Sequence, residues 1–274
     1  MDLNQLFSVR GQGAIVTGGA SGLGLAFGEA LAAGGARVTL FDLNEEAVQR
    51  EASRLRQLGA DVRGAALDVT DRAALDRAFD AAAAAHGRLD IVFANAGIDP
   101  GPGFVAIAQR GLRIPEHQIE NYSDERWHKV IGISLDAVFY TVRAAARLMK
   151  PAGRGSIVVT TSISAVRPAP AIGMAYMAAK AGAAHLVRTS ALELARYGIR
   201  VNAIAPGPFA TNISADRADR TEFAAAQVGA VPLGRVASPD EIKGLALLLA
   251  SGASSFITGE QIVIDGGASL GGAG

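Results

Sequence analysis

The 274-residue chain contains no cysteine, which removes disulfides, thiolate nucleophiles and thiolate metal sites together. Its four histidines (His86, His117, His128 and His185) fall at no ligand-like spacing, so no metal site is expected. Neither sign of charge dominates, with 26 Lys and Arg against 26 Asp and Glu. A neutral chain without a basic stripe or interleaved aromatics has no field to gather nucleic acid or an anionic bilayer. Long apolar runs are missing too: "ALLLA" and "AAAAA" fall far short of the roughly 20 residues that cross a membrane. The opening "MDLNQLFSVRGQGAIVTG" lacks the basic-then-apolar order of a secretion signal. A soluble, cytoplasmic protein is expected.

Half of the residues are hydrophobic and 33 are glycine, a composition that suits a well-packed protein able to bury a large core. Short β-branched runs alternate with helix-like stretches. Strands are expected at 13–18, 36–42, 61–69, 89–97, 155–162, 199–206 and 261–267, and helices near 22–34, 44–58, 71–86, 124–149, 174–197 and 239–250. Most of the strand runs are continuously apolar, as in a parallel sheet covered on both faces. The pattern predicts an α/β chain, a doubly wound parallel sheet forming a single domain over 1–274. Two segments, 98–126 and 206–239, are too long for turns. Both follow predicted strands, where open α/β sheets bind ligands, so they read as pocket walls or lids.

"TGGASGLG" follows the first strand and opens a helix. Its Gly18, Gly22 and Gly24 permit a tight turn and a close approach to a diphosphate, whose charge lies over the unpaired N–H groups of the helix. Asp42 ends the next strand in "VTLFDLN". Its carboxylate suits both ribose hydroxyls of an adenosine and repels a 2′-phosphate, which favours NAD over NADP. The competing reading makes Asp42 a cap for the helix beginning near Asn44.

"AYMAAKAG" raises a different question. In a helix Tyr176 and Lys180 share one face, and that face continues apolar through Ala183, Ala184, Val187 and Leu194. One reading is a core aromatic with a lysine that reaches to solvent. The other is a phenol made more acidic by a neighbouring ammonium. That would bring a group with an ordinary pKa near 10 closer to the range of efficient proton transfer.

"TGGASGLG", "ANAG" at 94–97, "AYMAAK" and "APGPFAT" at 205–211 occur in the order found in the short-chain dehydrogenases/reductases, and the chain resembles that family from about residue 8 to 268. The resemblance implies a Rossmann-type domain with a seven-stranded parallel sheet, assembled as a homotetramer. It implies Tyr176 as general acid/base, Lys180 as its partner and ribose ligand, and a serine that holds the substrate oxygen. Ser162 is the choice for that serine. It lies fourteen positions before Tyr176, one more than is usual in the family, so Ser164 stays an alternative. Ser134 stands where the family commonly has a relay asparagine. It either bonds the carbonyl four residues back or supports the relay through water. For the cofactor, the resemblance implies Gly18, Ser21, Gly22, Leu23 and Gly24 at the diphosphate and Asp42 with Leu43 at the adenosine ribose. Asp68 and Val69 would flank the adenine, and Asn95, Ala96 and Gly97 the ribose side. Pro206, Gly207, Phe209 and Thr211 would contact the nicotinamide.

The expected activity is NAD-dependent interconversion of a secondary alcohol and a ketone. The two long segments carry Phe104, Val105, Ile107, Ile114, Ile119, Phe209, Ile213 and Phe223, which suggests a bulky apolar or cyclic substrate. Arg110, Arg113 and His117 offer a carboxylate site instead. Two further readings are a reductase of carrier-bound 3-oxoacyl chains and a non-catalytic NAD-sensing protein.

Overall fold

The computed structural model of the protein describes residues 2–98, 101–106, 112–211 and 220–271. Seven strands, β1 (Gly13–Thr17), β2 (Arg37–Asp42), β3 (Val62–Ala66), β4 (Ile91–Ala94), β5 (Gly155–Thr160), β6 (Ile199–Pro206) and β7 (Gln261–Ile264), form one sheet in the order β3-β2-β1-β4-β5-β6-β7. Every neighbouring pair is parallel. This is the doubly wound Rossmann-type architecture anticipated from the alternating strand and helix runs.

The helices are α1 (Leu3–Leu6), α2 (Gly22–Ala33), α3 (Glu45–Gln57), α4 (Arg72–His86), α5 (Asp124–Ile131), α6 (Ala137–Met149), α7 (Met174–Leu194), α8 (Arg220–Gly229) and α9 (Lys243–Ala250). None among the described residues is long and apolar enough to cross a membrane. Side chains alternate across the sheet as strand geometry requires. Ile15, Val92, Ile157 and Val201 join Phe79, Val142 and Val187 on one side. Ala14, Val16, Ile91, Phe93 and Ile204 join Phe27, Leu31 and Leu249 on the other. Both faces are therefore core, and this is why the strands read as unbroken apolar runs.

Helix starts follow their caps. The Asn44 side chain accepts from Ala47 N at 3.0 Å and Asp71 from Ala74 N at 2.9 Å, each satisfying one otherwise orphan donor. Several strands are shorter than expected, β3 ending at Ala66 and β7 at Ile264, and three further differences bear on the site. The predicted helix 124–149 is broken by a π turn at Gly132–Asp136, a widening that admits an extra residue into the helical path. Strand β4 stops at Ala94, because the Asn95 side chain turns back to bond β1. The segment 206–239 contains helix α8, which the sequence reading treated as loop.

Sheet order reverses between β1 and β4, whose crossovers leave in opposite directions. That switch point opens a crevice at the carboxyl ends of the strands. Phe27 and Phe93, with ring centroids 4.6 Å apart, fill the layer beneath it and are fully buried. Phe93→Ala should lower the unfolding free energy by about 3–5 kcal/mol, read as a fall in the urea midpoint without a change of slope.

Candidate active site

A cleft of about 1150 Å³ lies beyond the ends of β1, β4, β5 and β6. Its first wall is the glycine loop. Gly18 has φ +65°, and a Cβ there would come within 2.9 Å of Ala96 Cα. A Cβ on Gly24 would run into the Gly18 carbonyl. The backbone thus folds tightly enough to expose the start of α2. The N-cap residue, Ser21, makes no side-chain cap bond, so this helix end has N–H groups left for an anion. Gly18, Ser21, Gly22, Leu23 and Gly24 all line the cleft. The loop fits a dinucleotide diphosphate.

Asp42 binds this loop from β2. Its Oδ2 accepts from Ala20 N and its Oδ1 from Asn44 N, both at 3.0 Å. The cap of α3 is Asn44 itself, so Asp42 is not spent on that duty. It faces the cleft, with each oxygen retaining a lone pair for a further donor. Leu43 beside it points to solvent and is not part of the wall.

A second lock joins three strand ends. Asn95 Nδ2 donates to Thr17 O at 3.1 Å and to Gly18 O at 3.2 Å, while its Oδ1 accepts from Thr160 Oγ1 at 3.0 Å. The backbone N–H groups of Asn95 and Ala96 donate to Thr17 Oγ1 at 3.0 and 3.2 Å. The Asn95 side chain is therefore engaged with the protein, and its work is to hold the glycine loop in shape. Asn95 and Gly97 line the cleft, whereas Ala96 does not. Asp68 is exposed with Oδ1 tied to Thr70, and Val69 packs into the core beside Leu67. Neither forms part of the wall.

Lys180 is 3% exposed. Its Nζ donates to Thr160 O at 2.7 Å and lies 5.5 Å from the centre of the Tyr176 ring. The lysine runs inward under the tyrosine, and the reading in which it reaches to solvent is excluded. Burial pushes its pKa down to about 8, so the ammonium persists at neutral pH. Ser162 follows β5 and caps a short 3-10 turn, its Oγ accepting from Ser164 N at 3.1 Å. Ser162, Ser164, Tyr176 and Lys180 all line the same cleft.

On the far side, Pro206, Gly207, Phe209 and Thr211 form the wall after β6. A Cβ on Gly207 would lie 2.5 Å from Asp265 Cβ, so this chain passes too close to β7 for any larger residue.

Ser134 sits apart from the cleft wall, wholly buried within the π turn. Its Oγ has no hydrogen-bond partner among the described residues. The expected bond to the carbonyl four residues back is not formed, because the widened turn displaces that carbonyl.

Two groups of residues were misjudged from sequence. Of the apolar residues assigned to a substrate pocket, Phe209 and Phe223 line the cleft, while Phe104, Val105, Ile114 and Ile119 do not. Ile107 and Ile213 lie outside the described residues, as does Arg110. Arg113 packs over the Phe104 ring at 5.8 Å and His117 Nδ1 bonds Gly103 O at 3.1 Å, so both serve the loop itself. The residues that were missed are Arg126, Lys129 and Arg167, which do line the cleft. Ser123, Arg126 and Val130 recur at helical spacing after the Ser123 cap, the signal by which this inward face could have been found.

A family model described as enoyl-(acyl carrier protein) reductase matches residues 18–269. The cis-4-hydroxycyclohexanecarboxylate dehydrogenase of Sinomonas cyclohexanicum is 39% identical over 93% of this chain and 95% of its own. The galactitol 2-dehydrogenase (L-tagatose-forming) of Cereibacter sphaeroides is 36% identical over 97% and 98%. A solved gluconate 5-dehydrogenase from Burkholderia cenocepacia, in complex with NADP and tartrate, superposes with a TM-score of 0.84 at 32% identity, covering 98% of this chain and 99% of that one. The chain belongs to the short-chain dehydrogenase/reductase family. As a short-chain dehydrogenase/reductase it is a nicotinamide-dependent oxidoreductase that interconverts an alcohol and a carbonyl.

The lysine carries a consequence for stability. Its pKa in the fold, about 8 against 10.5, means that the unfolded chain binds more protons between those values. Stability therefore rises with pH through that window and is lowest below it. Lys180→Met removes the buried ammonium. It should raise the unfolding free energy at pH 7 by up to about 3 kcal/mol, an advantage that shrinks as pH climbs past 8 toward 10.5. Denaturant titrations of both proteins at pH 7 and pH 9.5 (set between those limits) would measure it.

Proposed function

We propose that the protein is an NAD(H)-dependent dehydrogenase of secondary alcohols, the whole chain acting as one catalytic unit, with Ser162, Tyr176 and Lys180 as the reacting set. The observation that carries this reading is the Lys180 ammonium, itself 3% exposed, held 5.5 Å from the Tyr176 ring on the wall of the cleft. There the cation favours the phenolate. In the oxidative direction Tyr176 accepts the hydroxyl proton of the substrate, and Ser162 donates a hydrogen bond to the same oxygen as its charge develops. The bound dinucleotide supplies the hydride acceptor. Ser164, by donating its N–H to Ser162 Oγ, leaves the Ser162 hydroxyl hydrogen free to point into the cleft. This favours Ser162 over Ser164 as the residue that meets the substrate.

NAD is proposed over NADP on the Asp42 carboxylate, which faces the adenosine end of the cleft with no Lys or Arg in the glycine loop to receive a 2′-phosphate. Ser134, with its buried and unbonded hydroxyl, is proposed to support the proton relay behind Lys180 through water. A cyclic substrate is supported by the apolar Val130, Ile163, Ile172 and Phe223 on the walls. A homotetramer is supported by the exposed Trp127 and Phe139 on α5 and α6. A cytoplasmic location is proposed alongside it.

Tyr176→Phe should reduce kcat for alcohol oxidation by about 10²–10⁴-fold while NADH still binds, followed by quenching or enhancement of NADH fluorescence. Wild-type turnover in that variant would overturn the mechanism. Asp42→Ala should shrink the preference for NAD over NADP in kcat/KM. A wild-type enzyme that prefers NADP would remove the Asp42 argument and leave the tyrosine mechanism standing.

A further inference from the structure

The cleft has a second charged end that the chemistry above does not use. Arg126 and Lys129 on α5, with Arg167 from the segment after Ser162, line it. Against these three cations stands one carboxylate, Glu125, among the described residues at that end. No ion pair forms to Arg126, Lys129 or Arg167 among the described residues. Arg54, Arg88, Arg147 and Arg235, by contrast, each meet an Asp or Glu. Arg167 spends one donor on Ala268 O at 3.2 Å.

Arg126 is the most constrained of the three. Its Nε is buried with no partner, an uncompensated loss of hydration for a group that carries charge at every working pH. Its guanidinium lies across Gly101, where any Cβ would collide with Nη2 and Gly101 has φ +67°. Glycine at this position leaves the space in which the planar group rests. Gly101 O in turn accepts from Gly173 N at 3.1 Å, and Gly173 is the N-cap of α7, three residues before Tyr176. The guanidinium thus lies against a backbone segment that is hydrogen-bonded to the start of the helix carrying the proposed proton acceptor. The apolar side chains of Ile172 and Phe223 line the same cleft.

We infer that the substrate is a hydroxy acid whose carboxylate is held by Arg126, with Lys129 and Arg167 adding to the local positive field. This rests on the oxidoreductase reading and names its substrate class. A planar guanidinium matches the two oxygens of a carboxylate. An anchored carboxylate fixes which carbon is presented to Tyr176 and Ser162, so the group selects position as well as charge.

The test compares 3- and 4-hydroxycyclohexanecarboxylates with their carboxamides, assayed with NAD, in the wild type, Arg126→Gln and Arg126→Lys. The wild type should prefer the acid. The acid-to-amide ratio of kcat/KM should fall about ten- to hundredfold in Arg126→Gln and less in Arg126→Lys. A wild-type ratio near one, or a ratio that Arg126→Gln leaves unchanged, overturns the inference. Turnover of the amides without acid preference removes the carboxylate anchor and leaves the oxidoreductase reading intact. If no probe turns over with NAD or NADP, the cyclohexane frame is not the substrate's, and competition by cyclohexanecarboxylate and its carboxamide, read through bound NADH fluorescence, still decides the anchor. Tighter binding of the acid that Arg126→Gln abolishes supports it, and equal binding overturns it. Tighter binding of cyclohexyl phosphate than of the acid also overturns it.

Discussion

A lysine ammonium buried beneath a tyrosine is the feature on which the arrangement depends. It is an expensive one, because desolvation penalises the charged form most, and the Thr160 carbonyl, 2.7 Å away, partly replaces the lost water. Burial has drawn its pKa down to about 8, just high enough for the charge to survive at neutral pH. A more exposed lysine would be screened by water and influence the phenol little. Its place beneath the ring is set by the backbone around it.

That backbone is held by few groups. Thr160 takes part twice: its carbonyl receives the lysine, and its hydroxyl donates to Asn95. Asn95 passes the constraint to Thr17 and Gly18, and hence to the glycine loop. The cofactor end and the chemical end of the cleft are therefore linked by a short chain of hydrogen bonds across the ends of β1, β4 and β5. Each bond is worth little alone. Sharing partners in a partly buried place, they leave the loop no independent conformation.

Much of this was legible before any coordinates. The continuous apolar strands gave the parallel sheet because each strand is buried on both faces, and the spacing of Tyr176 and Lys180 gave a shared helix face because helical geometry demands it. What the sequence concealed depends on contacts between distant segments. Asn95 reads as a cofactor ligand until Thr17 and Thr160 are seen to occupy its side chain. Ser134 could bond the carbonyl four residues back or support a relay through water, and only the π turn with its unpartnered hydroxyl separates the two. Phe104 and Ile119 read as pocket residues because apolarity in a loop carries no direction, while Arg126 drew no reading at all. The spacing of Ser123, Arg126 and Val130 hints at an inward face, but only the fold shows that Arg126 lies against Gly101.

The charges that remain along the cleft are ordered. Asp42 stands at the end where an adenosine would lie, the Lys180 ammonium at the centre, and Arg126, Lys129 and Arg167 at the opposite end. A ligand pair entering this space meets a carboxylate suited to hydroxyl donors on one side and cations suited to an anion on the other. Apolar walls would accept many molecules in many orientations, since dispersion and burial have no direction. A guanidinium does not allow this freedom: it favours an anionic end of a ligand over an apolar one, and this one lies against Gly101, whose carbonyl accepts from the residue that begins the tyrosine helix. On the proposed reading, orientation at the reacting carbon then follows from charge placed at a distance from it. The apolar middle of the cleft contributes affinity, and the charged ends decide how that affinity is used.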